Sequence, residues 1–269
     1  MRAVPKPLPS SSGESITVLT YNRGQHMGQS LQPFKNLTHP DIIALQEAPG
    51  RASRYLGAEG YEAFVETESI GEFTVLSKYP ILSSELINLP SGPQILPTAA
   101  RFEIDFEGQR IALYVVHVVS PRDVLFYYRR GAFLYGILGL PGTSWGKKKE
   151  QNQVVWDQRI QEARELRDLI EKDPLPSLLV GDLNAPSGGA IHRIFRKTLT
   201  DAHRENGSGF GYTFPGVTRN PLSRGGPWMR IDYLFCDDDW EPVWCLTEKE
   251  RKSQHRAVTA QFRLLTPSN

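Results

Sequence analysis

Asp182 and Asn184 stand in Gly181-Asp182-Leu183-Asn184, directly after the apolar run Leu178-Leu179-Val180. A short buried strand that stops at a glycine and delivers an aspartate and, two residues on, an asparagine sets a carboxylate beside a neutral amide. That pairing suits activation of water at a phosphate. The carboxylate accepts or orients the water proton, and the amide donates to an anionic oxygen without adding negative charge. Five further polar residues recur at or near the ends of apolar runs. Asn22 follows Ile16-Thr17-Val18-Leu19-Thr20-Tyr21, Glu47 follows Asp41-Ile42-Ile43-Ala44-Leu45-Gln46, and His117 closes Ile111-Ala112-Leu113-Tyr114-Val115-Val116. Asp232 lies inside Arg230-Ile231-Asp232-Tyr233-Leu234-Phe235, and His255 ends Ser253-Gln254-His255 before the last apolar stretch, 257–264. One polar residue at a strand end is ordinary, but the series reads as one polar rim over two sheets.

The elements that must carry this rim are short β-rich pieces at 61–66, 73–77 and 81–89, separated by glycine and Lys-Tyr-Pro turns. Ala100, Phe102, Ile104 and Phe106 alternate with Arg101, Glu103 and Asp105, the period of a strand with one wet face. The run 111–116 is apolar on both faces and therefore expected to be central. Trp156, Ile160, Ala163, Leu166 and Ile170 recur at helical spacing and predict an amphipathic helix over about 154–172, stopped by Asp173-Pro174. Ile191, Ile194 and Phe195 predict a second helix just after Asn184.

A chain of 269 residues buries a large core without splitting in two. We expect one domain over 15–269, with a Pro- and Ser-rich disordered lead-in at 1–14 and an insertion at about 121–150. Lys and Arg total 31 against 30 Asp and Glu, so no global field marks a nucleic-acid binder, and any polyanion contact must be local. Cys236 and Cys245 are too few for a disulfide scaffold or a four-ligand zinc site, and are expected to be buried free thiols. The N-terminus lacks the apolar core of a signal peptide and no stretch has the roughly 20 apolar residues of a membrane span, so the provisional expectation is a cytoplasmic or membrane-peripheral protein; a monomer is expected separately.

Taken in order, Thr-Tyr-Asn, Gln-Glu, Val-His-Val, Gly-Asp-Leu-Asn, Arg-Ile-Asp-Tyr and Ser-Gln-His resemble the motifs of the endonuclease/exonuclease/phosphatase superfamily, which has the deoxyribonuclease I-like fold. The resemblance runs from Ile16 to Leu264. It implies a four-layer α/β sandwich, two mixed β-sheets face to face with helices outside. It also implies a Mg²⁺- or Mn²⁺-dependent phosphoesterase, with Glu47 as principal metal ligand and Asn22 positioning metal or phosphate. Asp182 is then the base, Asp232 orients His255, and His117, His255 and Asn184 face the phosphate.

Two positions depart from the pattern. The superfamily commonly has Ser-Asp-His where this chain has Ser-Gln-His, so Gln254 brings no charge to the metal, and Gly24 stands where some nuclease members carry an acid. A catalytically weakened phosphate-binding member is therefore one alternative. Ser120-Pro121-Arg122 after His117, with Arg122 a substrate-binding candidate, and Gly211-Tyr212-Thr213-Phe214-Pro215 resemble a bacterial phosphoesterase branch that includes enzymes of lipid-linked pyrophosphate. Residues 121–149 mix aromatic and apolar side chains with Arg129, Arg130 and Lys147 to Lys149, a composition suited to a membrane surface. The expected substrate is a lipid-linked or small-molecule phosphate, with DNA or RNA as the less favoured alternative.

Overall fold

In the computed structural model, which describes residues 13–24, 30–91, 98–120, 145–216, 225–251 and 253–265, the apolar runs pair into two six-stranded sheets. The first sheet contains β1 (Ser15–Asn22), β2 (Ile42–Gln46), β3 (Glu66–Ile70), β4 (Phe73–Ser77), β11 (Trp240–Thr247) and β12 (Val258–Leu264), in the order β11-β12-β1-β2-β4-β3. The second contains β5 (Ile81–Ile87), β6 (Ala99–Phe106), β7 (Gln109–His117), β8 (Ser177–Asp182), β9 (Thr200–Asp201) and β10 (Asp232–Cys236), in the order β5-β6-β7-β8-β10-β9. Each sheet is mixed. A central parallel pair, β1 with β2 or β7 with β8, is flanked by antiparallel neighbours. The carboxyl ends of the parallel strands and the starts of their antiparallel neighbours therefore meet at one end of the sandwich.

Period-two alternation sorts the side chains into three apolar layers. Ile16, Val18, Ile42, Ala44, Leu113, Val115, Leu178, Val180 and Leu234 point between the sheets. Tyr114, Leu179, Tyr233 and Phe235 face outward under the helices α3 (Trp145–Glu171) and α4 (Ala190–Phe195). On the opposite surface Leu19, Ile43, Leu45 and Leu76 lie under α1 (Phe34–Thr38) and α2 (Ala52–Tyr55). The expected sandwich is thus formed, and α5 (Ala202–Asn206) caps one edge against β11. Both cysteines are buried and free, as expected, though Cys236 and Cys245 sit in different sheets.

Local boundaries depart from expectation in three places. Residues 61–65 turn rather than extend, because Tyr61 and Phe64 both pack into the outer layer beneath α2, and the strand starts only at Glu66. The face of β6 that carries Arg101 and Glu103 is not wet. Arg101 donates to Asp173 at 2.7 Å, where α3 ends, and Glu103 pairs with Arg110. Finally α3 begins at Trp145, nine residues before the apolar periodicity and within the expected insertion. Its first turns are Lys-, Glu- and Gln-rich, which favours helix without an apolar stripe to announce it. The lead-in up to residue 12 and the insertion over 121–144, including Arg122, lie outside the described residues.

Candidate active site

Alternation also aims the polar residues. On β8, residues 178 and 180 face inward, so Asp182 does too, at the end of the strand. His117 of β7 and Asp232 of β10 are its register partners on either side, which sets His117, Asp182 and Asp232 in one row across the second sheet. Asn22 ends β1 opposite, in the first sheet, with Gln46 as its partner. Gln46 is buried and spent on Thr20, to which it donates at 3.0 Å. Glu47 reaches the mouth because its backbone turns left-handed (φ 50°), breaking the alternation that would otherwise carry it away.

Asp182 is fully buried at the centre. Its Oδ2 accepts from Asn22 Nδ2 at 3.0 Å and Asn184 Nδ2 at 3.2 Å, and its Oδ1 accepts from the Asn184 backbone at 2.7 Å. His117 Nε2 and His255 Nε2 lie 3.9 and 3.8 Å from Oδ2. Burial raises the Asp182 pKa and the Asp232 charge adds to the rise, against the two histidines, leaving a carboxylate more basic than usual. Asn184, at φ 46°, also donates to the Val118 carbonyl at 2.9 Å. Its amide therefore steadies Asp182 here rather than opening toward an oxyanion.

Each histidine has its own carboxylate. His255 Nδ1 lies 3.1 Å from Asp232 Oδ2, and the start of β10 that carries Asp232 is tied to Thr213, whose Oγ1 accepts from the backbone N–H groups of Ile231 and Asp232 at 3.2 and 3.3 Å. His117 Nδ1 lies 3.0 Å from Glu72 Oε1. Burial disfavours both imidazolium ions, yet Glu72 for His117, and Asp232 with Asp182 for His255, outweigh it and push both pKa values up to about 9. Both shifts favour the imidazolium form at neutral pH, and both Nε2 atoms face the side of the site where Asp182 lies. Phe214 packs on His255 at 5.1 Å, and Tyr21 donates to Ser253 at 2.9 Å, fixing the turn that carries the ring.

The expected residues Asn22, Glu47, His117, Asp182, Asn184, Asp232 and His255 are thus brought together. Glu72 and Thr213 join them unannounced. Glu72 reads as a turn residue after Gly71, and only the antiparallel pairing of β4 with β2 puts it at the rim. Gln254 is half-buried, and its carbonyl accepts from Gly216 at 2.6 Å.

Donor chemistry separates two places for a cation. Asp182, Asp232 and His255 offer ligand atoms within 4.8 Å of one another, but their lone pairs are largely engaged by Asn22, Asn184 and each other. Glu47 keeps its side chain 27 % exposed at the mouth, 3.9 Å from His117, and Asn22 Oδ1 accepts only from Gly24 among the described residues. One carboxylate and one amide oxygen fit a hard cation that retains water ligands.

Gly181 makes the row possible. It sits at φ 136°, and a Cβ there would come 2.1 Å from the Val116 carbonyl oxygen on the neighbouring strand. Gly181→Ala is expected to destabilise the fold by more than about 2 kcal/mol, from backbone strain and overpacking. In a thermal melt that is a loss of roughly 5 °C or more; a parental melt would show that β7 and β8 can separate at this point.

A family model described as "Endonuclease/Exonuclease/phosphatase family" matches residues 25–255. No curated protein sequence matches the chain. Among solved structures, D. rerio TDP2 complexed with single-strand DNA product superposes with TM-score 0.62 at 16 % identity, over 92 % of this chain and 98 % of that one. An endonuclease/exonuclease/phosphatase family protein from Bacteroides thetaiotaomicron gives TM-score 0.63 at 14 % identity, over 95 % and 100 %. The 3′ phosphatase NExo from Neisseria, bound to product DNA hairpin, gives 0.59 at 16 %, over 91 % and 98 %.

Proposed function

The chain belongs to the endonuclease/exonuclease/phosphatase family, whose members are hydrolases acting on phosphoester bonds, and from that premise we propose that it is a Mg²⁺- or Mn²⁺-dependent phosphoesterase using direct attack by water. The observation that carries this reading is a basic, fully buried Asp182 between two carboxylate-held imidazolium groups at one open end of the sandwich. Asp182 takes the proton from water as its oxygen approaches phosphorus, while Asn22 and Asn184 hold the carboxylate in line. His117 and His255 donate through Nε2 to the phosphoryl oxygens, where charge accumulates. Glu47 and Asn22 would hold the divalent ion, which when bound supplies Lewis-acid polarisation of the phosphoryl group. No covalent intermediate is needed.

The substrate we favour is a small-molecule or lipid-linked phosphate ester or anhydride, in keeping with the near-neutral charge of the chain. One observation favours nucleic acid instead. Phe210 is 80 % exposed and stacks on Tyr212 at 5.2 Å, two residues from the Phe214 that touches His255, a platform on which a base can lie. Turnover of 3′-phosphorylated single-stranded DNA, a phosphodiester dye ester, inositol phosphates and prenyl pyrophosphate with Mg²⁺ or Mn²⁺ decides between them. No turnover of any member would leave a phosphate-binding protein.

The metal assignment has its own test. Glu47→Gln is expected to raise the Mg²⁺ concentration for half-maximal activity by about tenfold or more, since even groups behind a metal ligand are typically worth ~10-fold. If Glu47→Gln titrates like the parent and Asp232→Asn does not, the ion sits instead at Asp182, Asp232 and His255.

A further inference from the structure

Helix α3 sends two charged side chains into the interior one turn apart. Arg159 and Glu162 are 2 % and 1 % exposed. Glu162 accepts the Thr98 hydroxyl at 2.9 Å, and the Thr98 carbonyl accepts the backbone N–H of His117 at 2.8 Å. Arg159 Nη2 donates to the carbonyls of Asn184 at 2.8 Å and Leu183 at 3.4 Å, with its guanidinium 4.9 Å from the Trp156 ring. Its Nε and Nη1 are buried with no hydrogen-bond partner among the described residues.

For stability alone this is a poor arrangement. Buried donors left unmade carry their full desolvation cost, and an apolar side chain of similar volume commonly serves as well or better. What the guanidinium does achieve is local. Asn184 makes the left-handed bend that follows Leu183 at the end of β8, and through that bend both the backbone and side-chain amides of Asn184 return onto Asp182. The carbonyls of these same two residues are the ones that Arg159 grips.

We propose that Arg159 is a positioning residue for hydrolysis: by holding the Leu183 and Asn184 carbonyls it fixes the left-handed turn whose amides orient Asp182. The proposal rests on the phosphoesterase reading above and deepens it. Arg159 touches no substrate, so its removal acts on the geometry of the base, and misplacement of a reacting group by about 1 Å costs on the order of 10²-fold in rate.

The test compares the parent, Arg159→Met, Arg159→Lys and, as a reference, Asp182→Asn, by Mg²⁺-dependent steady-state kinetics on a phosphodiester dye ester, together with thermal melts. Arg159→Met is expected to lower kcat by about tenfold to 10²-fold while KM stays within about threefold and the melt is unchanged or raised. Arg159→Lys, which can reach one of the two carbonyls, is expected to fall between Met and the parent. A parental kcat in Arg159→Met overturns the proposal, as does a loss of kcat that tracks a fall in melting temperature with no recovery in Arg159→Lys. Should Arg159→Met not fold, Arg159→Lys decides: reduced kcat at parental KM and melting temperature supports the proposal, and parental kcat overturns it. Parental turnover by Asp182→Asn sinks the phosphoesterase mechanism itself, whereas an inactive Asp182→Asn beside an unaffected Arg159→Met sinks the Arg159 proposal alone.

Discussion

Asp182→Asn is expected to abolish most turnover, lowering kcat by ~10²-fold or more, the usual worth of a positioned general base. The amide keeps the planar shape of the carboxylate and can still accept the Asn184 backbone N–H through Oδ1. What it loses is basicity, and its NH₂ would confront the donors of Asn22 and Asn184 that now converge on Oδ2. Folding is expected to survive. Burial and Asp232 disfavour the Asp182 charge and the two histidines favour it; the balance raises its pKa, so a neutral group at this position is compatible with the fold. Kinetics and circular dichroism on the same preparation check both halves, and a rate within about threefold of the parent would remove Asp182 from the role of base.

The second large effect depends on pH. Asp232→Asn removes the charge that holds the His255 pKa up at about 9, and the ring is expected to fall back toward the ordinary imidazole value near 6.5. A group with a raised pKa keeps its proton below that value and loses it above. At pH 8 the imidazolium fraction should therefore drop about 30-fold, from nearly complete to a few per cent, while at pH 6 most rings stay charged in either protein. The loss of activity should grow with pH, moving the alkaline limb of the kcat profile down. The acid limb should move down as well, because Asp232 also contributes to the raised pKa of Asp182. A uniform loss from pH 6 to pH 9 would mean that Asp232 serves packing and not the charge of His255.

Much of this site could be read from the chain because its residues end apolar runs. A buried strand covered on both faces shows as a continuous apolar stretch, and the polar residue where it stops stands out, as at Asn22, His117 and Asp182. Glu72 escaped because it precedes its strand, and a residue before a strand looks like any turn until the pairing partner is known. Arg159 escaped for a different reason. On an amphipathic helix a charge reads as solvent-facing, and only the docking of α3 reveals that this one points inward. The early start of α3 and the covered face of β6 share that origin: neither Lys-rich helix nor paired charge leaves an apolar period.

The three polar contacts that define the mouth all join one sheet to the other. Asn22 ends a strand of the first sheet and Glu72 lies in the β3–β4 turn of that sheet, and they reach Asp182 and His117 in the second, while Asp232 of the second reaches His255, which leads into β12 of the first. Proton affinity at the mouth is therefore a gauge of the gap between the sheets. Anything that widens or shears that gap, such as a bulkier side chain at Phe102 or Phe262 deep in the shared interior, lengthens the carboxylate–imidazole contacts and lets both histidines drift toward neutrality. The proton affinity of the two histidines is in that sense set as much by the thickness of the middle layer as by the groups that titrate.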